Sequence, residues 1–430
     1  MQFDHVAEEQ QEKNFTLWVQ ALLRKSPEYL AMHLAPIHHP GKPTAACLWK
    51  NGSFNICYRV KYEDGFNAIV RFAAFGRTIH RREKVDNEVV TMKYLARYTS
   101  IPVQDVLGSG TCGAGPYIVM SFVEGAPLAE FLKDRHQKGR PVLNPRLSDR
   151  VLKRAYREMA KLILELSKPE FQYIGALRQS EANFSVTSRP VTFNMNELAT
   201  SANLPPQAFP TQVFESAPDF FTSHANQHIS PTPAPACLFR NIAQGISTER
   251  RNGTFRLYCD DFRPSNVLID LQNLNVTGVV DWEFTYAAPA EFTYIAPWWL
   301  LLQTPEDWES DLRAFLERFM PRFRVFIEAL RECEEGSSNE GDDAAVVPQR
   351  LSTRMERSLE SGLFWVCLAA KHSSMFDEIY HGPITTMEDR LGLLTKDERH
   401  SLDELVRIKL EHIVEGPPDT HYTVDDLMGL

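Results

Sequence analysis

An aspartate, an asparagine five residues later and a second aspartate fifteen residues beyond that form the chemically most specific stretch of this sequence: Asp261, Asn266 and Asp281. Their side chains supply the hard oxygen ligands that Mg2+ prefers, and Mg2+ is usually held by one or two protein groups together with phosphate oxygens. Phosphoryl transfer asks for little covalent help. It needs positioning, neutralised charge and a carboxylate to orient the attacking hydroxyl. The spacing suits that work, with Asp261 as the base and Asn266 and Asp281 as the metal ligands. Taken alone, the Asp261 to Asn266 stretch is also an ordinary turn composition.

The flanking residues separate the two readings. Residues 254–258 alternate as a strand entering the loop, and Val267, Leu268 and Ile269 leave it as a short apolar strand. Residues 270–275 form a polar turn, and 276–280 return as the strand that delivers Asp281. A strand, loop, strand, turn and strand in this order bring Asp261, Asn266 and Asp281 within reach of one metal.

The chain is 430 residues long, enough for two or three domains, with the 43% hydrophobic and 24% charged content of an ordinary globular protein. A net charge of −10 argues against nucleic acid as a partner. Acidic residues outnumber basic ones most strongly over 373–430, as solvated helix faces and an acidic tail would give. Seven scattered cysteines without a C-x-x-C pair suit a reducing compartment rather than a disulfide framework. Residues 1–14 are polar and acid-containing, so no secretory signal is expected, and the longest apolar run, 295–302, is far too short to span a bilayer. These features point to a cytoplasmic protein without a membrane partner.

Along the chain, Phe15, Trp18, Val19, Leu22 and Leu23 recur at helical spacing, so residues 1–43 read as an N-terminal helical segment. Strands at 47–49, 56–62 and 68–72, a helix at 82–98 and strands at 103–107 and 117–122 follow, making a nucleotide-binding lobe at 44–124. Residues 123–127 form the hinge to a second, mainly helical lobe over 125–430. That lobe should hold helices at 144–167, 305–333, 350–380 and 395–414, with an irregular Pro-, Ser- and Asn-rich insertion at 168–240. Asn144 and Pro145 are read as the start of the first of these helices, and residues 334–343 as a disordered loop by composition. The expected class is α+β: a small antiparallel sheet with one helix, then a helical lobe.

Within the first lobe, Asn51, Gly52 and Ser53 are small and turn-prone enough for backbone N–H groups to approach an anion, although such a turn is more often only a hairpin. Arg71 lies on the third strand, where it would meet phosphate, and Glu88 on the following helix is its expected partner, with Glu83 as competitor. Arg77, His80, Arg81, Arg82 and Lys84 read as a mainly solvated basic face. His224 and His228 have metal-ligand spacing without an accompanying acid, and Trp298 and Trp299 read as core.

Taken together, Asp261-Phe262-Arg263-Pro264-Ser265-Asn266, Gly278-Val279-Val280-Asp281-Trp282-Glu283, Arg71, Glu88 and the hinge at Met120-Ser121-Phe122-Val123-Glu124-Gly125 resemble the aminoglycoside phosphotransferase and choline kinase-like superfamily, notably its fungal branch. The resemblance covers about 45–380 and implies a bilobal protein-kinase-like fold. It further implies transfer of the γ-phosphoryl group of ATP, with Mg2+, to a hydroxyl of a small molecule such as an amino alcohol, an aminoglycoside or a sugar. Asp261 then matches the catalytic base, Asn266 and Asp281 the metal ligands, and Arg71 the phosphate cation tethered by Glu88. Asn51, Gly52, Ser53 and the hinge residues Ser121 and Val123 match nucleotide contacts. Cys259 stands where the family usually has a histidine that braces the loop. Two alternatives stay open: a nucleotide-binding pseudokinase acting as a scaffold or regulator, and a protein kinase. For the latter, Ala288-Pro289-Ala290-Glu291 lies too close to Asp281 to bracket a peptide platform.

Overall fold

The computed structural model describes residues 5–181, 183–201, 204–228, 254–308, 311–337 and 350–371. The helix expected at 395–414, the acidic stretch over 373–430 and Cys237 lie outside these residues. The six described cysteines are free thiols. Among the described residues no helix is long and apolar enough to cross a membrane.

The N-terminal segment is two helices, α1 (His5–Arg24) and α2 (Pro27–His38). Ser26, in the left-handed region at φ 49°, breaks them apart, and Pro27 suits the first turn of α2. Five strands follow, β1 (Pro43–Asn51), β2 (Asn55–Tyr62), β3 (Asn67–Ala73), β4 (Val106–Cys112) and β5 (Gly115–Ser121), paired antiparallel in the order β1-β2-β3-β5-β4. The strand expected at 103–107 begins only at Val106; Val103 instead makes an isolated bridge to Val279 in the other lobe. Helix α3 (Arg81–Tyr98) joins β3 to β4.

Strand alternation divides the sheet's side chains between two cores. Tyr58, Val60, Val70, Phe72 and Val119 pack against Trp18, Leu22, Ala31 and Ala35 of α1 and α2. The Trp18 indole N–H donates to the Ala114 carbonyl at 2.8 Å and fixes α1 to the sheet. On the opposite face Ile69, Ile118 and Met120 meet Val85, Val89 and Met92 of α3 in a core that continues into the second lobe. Arg71 shares the parity of Ile69 and therefore points to this inner face.

In the second lobe, the short α4 (Leu128–Leu132) leads to α5 (Asp149–Ser167), whose Leu152, Ala155, Tyr156, Met159 and Leu162 are buried. The start at Asn144 is corrected: its carboxamide oxygen accepts the Arg146 N–H at 3.0 Å, closing a local turn that competes with a helix start. Ser148 precedes the helix instead. The insertion is not irregular throughout. It contains a hairpin, Ala176–Ser180 with Asn183–Ser188, and the helices α6 (Phe193–Ser201) and α7 (Ala217–His228). Later come the helix Leu312–Ser337, running through Glu334 and Glu335 where a disordered loop was expected, and the pair Leu351–Glu360 and Leu363–Lys371.

Gly76, just after β3, shows how closely α1 approaches. At φ +80° a Cβ there would sit 2.4 Å from the Phe15 nitrogen and 2.5 Å from the Gln11 carbonyl oxygen, backbone that cannot yield cheaply. Gly76→Ala should destabilise the protein by on the order of 2 kcal/mol or more, read as a lower melting temperature with earlier proteolysis within α1. A variant melting with the wild type would show that α1 is not seated against this turn.

Candidate active site

Two antiparallel strand pairs build the site. The strand Phe255–Cys259 pairs with Thr285–Ala288 and runs into the loop carrying Asp261. The strand Val267–Ile269 pairs with Val276–Val279 in the register Val267 opposite Val279, so Asn266 and Val280 flank each other. The Val280 N–H donates to the Asn266 carbonyl at 2.9 Å, which sets Asp281 beside Asn266. The Asn266 carboxamide donates to the Asp261 carbonyl at 2.9 Å and to its carboxylate at 3.0 Å. The three residues picked from spacing are thus one cluster.

Asp281 adopts φ 69° and Phe284 φ 56°, the left-handed region that non-glycine residues enter at a cost. The turn between them is held by the Trp282 indole donating to Val279 O at 3.0 Å and the Thr285 hydroxyl donating to Trp282 O at 2.7 Å. Cys259 is buried, and burial pushes its thiol well above the ordinary range, so it stays neutral. That thiol donates weakly to the Glu283 carbonyl at 3.7 Å, a tie between the loop carrying Asp261 and the turn after Asp281.

Arg71 lies at the centre. One Nη donates to Glu88 at 2.6 Å, and the other contacts Asp281 at 2.5 Å and Glu283 at 3.0 Å. Glu88 is its partner, whereas Glu83 pairs with Arg189 at 2.8 Å. Glu283 also pairs with Lys84 and accepts the Asn55 carboxamide N–H at 2.9 Å. Lys84 in turn donates to the Asn55 oxygen at 2.9 Å. Lys84 is 1% exposed, so the reading of its basic run as a solvated face is corrected here.

Electrostatics follow from this packing. Burial pushes Glu88 up to about 7, outweighing Arg71 and Lys84. Asp281 would likewise rise on burial, but Arg71, Lys50 and Lys84 hold it below the usual carboxylate range. Burial, with help from Asp281 and Glu283, lifts Asp261 to about 7 against the opposing charge of Arg263, whose Nε lies 2.9 Å away. No directed hydrogen bond forms at that Nε, but one Nη of Arg263 donates to the Asp261 carboxylate at 3.4 Å.

The other expected residues are more loosely gathered. Asn51, Gly52 and Ser53 form the β1–β2 turn, closed by Gly52 N–H to Asn55 O at 2.9 Å. They border a cavity of about 820 Å3 that Glu8 of α1 and Glu197 and Thr200 of α6 also line. Ser121 is already engaged, its hydroxyl accepting the Asp105 N–H at 2.8 Å. Val123 packs on Gly278, where a Cβ would come within 2.7 Å of its methyl. His224 and His228 are buried on α7 with rings 5.1 Å apart, and burial pushes His224 down to about 4.

The residues missed from sequence are Lys84, Glu283, Asn55 and Asp260. Lys84 lies one turn before Glu88, a spacing that puts both on one helix face. Asp260 accepts the Phe193 N–H at 2.9 Å, capping α6 from the loop that carries Asp261. Nothing local signals that contact.

The donor set fits Mg2+ and a nucleotide. Asn266 and Asp281 offer hard oxygens, and Arg71 Nε and Glu88 Oε2 are buried without a hydrogen-bond partner among the described residues.

The sequence profile of the phosphotransferase enzyme family matches residues 51–319. No curated protein matches the chain in sequence. Solved structures similar to it include an aminoglycoside 2′-phosphotransferase-IIIa variant in complex with GDP, at 14% identity, 90% of this chain, 97% of that chain and TM-score 0.44. A macrolide 2′-phosphotransferase from Brachybacterium faecium is 13% identical over 91% of this chain and 99% of its own, with TM-score 0.38. An aminoglycoside phosphotransferase from Streptomyces rimosus is 15% identical over 76% and 94%, again with TM-score 0.38.

The raised Asp261 carboxyl predicts a pH signature. A folded-state pKa of about 7 lies above the unfolded value, so the stability linked to this proton is complete at low pH and is lost as pH rises through about 7. Asp261→Asn should remove that loss: its melting temperature should exceed the wild type's at pH 8 and converge with it only below about pH 4, where the unfolded carboxyl is also protonated. A parallel pH profile for both proteins would mean that Asp261 titrates normally.

Proposed function

The chain belongs to the phosphotransferase enzyme family, and from that premise we propose that it is a small-molecule kinase, moving the γ-phosphoryl group of ATP to a substrate hydroxyl. The observation that carries the reading is the contact chain Asp261–Asn266–Val280–Asp281, which gathers a base and two hard-oxygen ligands on adjoining strands. When bound at Asn266 and Asp281, Mg2+ would neutralise charge on the phosphate oxygens. Asp261 would orient the acceptor hydroxyl and take its proton, its carboxylate steadied by Asn266 and Arg263. A base lifted to about 7 is well matched to proton transfer near neutral pH. Arg71, tethered by Glu88, is the cation at the phosphate end. Asn51, Gly52 and Ser53 would offer backbone N–H groups to the phosphates, and the hinge at Ser121 and Val123 would meet the nucleotide base.

Phe54 of the β1–β2 turn, Phe193 of α6 and Phe284 after the metal loop form a triangle of edge contacts, with centroids 5.4 to 5.7 Å apart. It would keep water from the phosphate end. The acceptor classes to try first are amino alcohols, aminoglycosides and sugars. A scaffold without turnover is not favoured, because Asp261, Asn266 and Asp281 are all kept and the Cys259 thiol ties the base loop to the metal loop.

The decisive measurements are nucleotide-induced thermal shifts and Mg2+-dependent ATP turnover. Wild type should melt higher with ATP and Mg2+ than with ATP alone, and Asp281→Ala should lose that difference. Asp261→Asn should keep the shift while turnover falls by roughly 10²–10⁴-fold. An absence of any nucleotide response in the wild type would sink the kinase reading.

A further inference from the structure

Each cation so far placed in the cleft already has a carboxylate. Arg71 faces Glu88, Asp281 and Glu283, Lys84 is paired with Glu283, and Arg263 sits on Asp261. Three carboxylates around Arg71 and Lys84 leave the phosphate end without spare positive charge. A nucleotide phosphate brought there would be held more tightly by a further cation beside the Mg2+ expected at Asn266 and Asp281.

Lys50 has the right place for it. The β1–β2 pairing runs Leu48 opposite Tyr58 and then skips a residue, so that Lys50, rather than Trp49, stands opposite Cys57. Trp49 is the extra residue of this β-bulge, its ring edge-on to Phe122 at 4.9 Å and beneath the Arg59 guanidinium at 5.4 Å. Bulges re-aim side chains in this way. Cys57 stands opposite Arg71 across the next pair of strands. Directly opposed residues of antiparallel strands share a face, so Lys50, Cys57 and Arg71 form one row on the inner face of the sheet. Two strand spacings put the Lys50 and Arg71 backbones about 10 Å apart, and the four-carbon stem of a lysine covers much of that gap. The Lys50 charge helps hold down the carboxyl of Asp281 and opposes the rise of the Cys57 thiol, so it is felt inside the cleft. The Lys50 side chain is exposed, makes no ion pair or hydrogen bond with any described residue, and directly precedes the Asn51-Gly52-Ser53 turn.

We propose that Lys50, aimed into the cleft by the β1 bulge, is a phosphate-binding residue of this site and adds to the charge of Arg71, which three carboxylates already offset. The inference rests on the phosphotransferase reading above. Arg71, a rigid fork fixed by carboxylates, then keeps Asp281 and Glu88 in place, while Lys50, a point charge on a flexible stem, follows the phosphates.

Calorimetric titration of the full chain with ATP and Mg2+, and separately with adenosine, which lacks phosphates, tests this in wild type, Lys50→Ala and Lys50→Arg. Lys50→Ala should weaken ATP binding by about tenfold or more and leave adenosine affinity unchanged. Lys50→Arg should recover most of the loss. The unliganded melting temperature should not move, because the side chain is exposed. ATP affinity in Lys50→Ala equal to wild type overturns the proposal, as does an equal loss for ATP and adenosine, which would mean a disturbed hairpin. A wild type that binds neither ligand overturns the phosphotransferase reading as well.

Discussion

Arg71, Lys84, Glu88, Asp281 and Glu283 share one desolvated junction between the sheet and the helical lobe, and the nearby backbone is arranged to keep their charges compensated. Taking an ion out of water is costly, and removing one member of a buried pair strands the other. Glu283 Oε2 is where this constraint concentrates: it receives Arg71 from β3, Lys84 from α3 and Asn55 from β2. A single oxygen just after Asp281 therefore joins three elements of the first lobe. The arrangement stops short of full compensation, and the surplus shows in Glu88, whose carboxyl burial drives up to about 7. Two cations facing three acids are a resting state suited to receiving more positive charge.

The backbone around Asp281 serves the same end. Left-handed φ at Asp281 and Phe284 lets the chain turn twice within four residues, sending Asp281 and Glu283 to the ion cluster while Trp282 is buried in the core. Strain of this kind persists only where surrounding contacts over-determine it. Here they are the Trp282 and Thr285 hydrogen bonds and the Cys259 thiol on the Glu283 carbonyl. Cys259 thus contributes a short-range brace between the two loops, a role open to a small, neutral, weakly donating side chain.

What the sequence made legible was local. Asp261, Asn266 and Asp281 could be found because their spacing is set by short strands and a turn, all readable by period and composition. Arg71 followed from its place on the third strand, and Glu88 from its place on the apolar-flanked helix that comes next. Lys84 was hidden in a run of basic residues whose average character is solvated, although two of its members, Arg82 and Lys84, have opposite fates. Lys50 escaped because a bulge changes which residue faces inward, and pattern alone does not reveal one skipped residue. The start of α5 was misplaced because Asn144 suits a local turn as well as a cap. The insertion looked irregular because its hairpin is largely polar and α6 is capped by a residue far along the chain.

That distant cap bears on how the cleft is organised. Asp260 accepts the first N–H of α6, while its neighbour Asp261 is the proposed base. Phe193, the residue whose N–H is capped, also packs on Phe54 and Phe284. On the other side of α6, Asn196 accepts the Ile79 N–H at 3.1 Å and donates to the Arg77 carbonyl at 3.1 Å. Helix α6 is therefore held at one end by the Asp261 loop, along its side by the turn after β3, and through one ring by the β1–β2 turn and the segment after Asp281. An N-cap is worth about 1 kcal/mol and an aromatic pair a similar amount. No single contact locks the helix, yet lifting it would loosen all three loops together. The segment hardest to read from sequence is the one that couples the parts easiest to read.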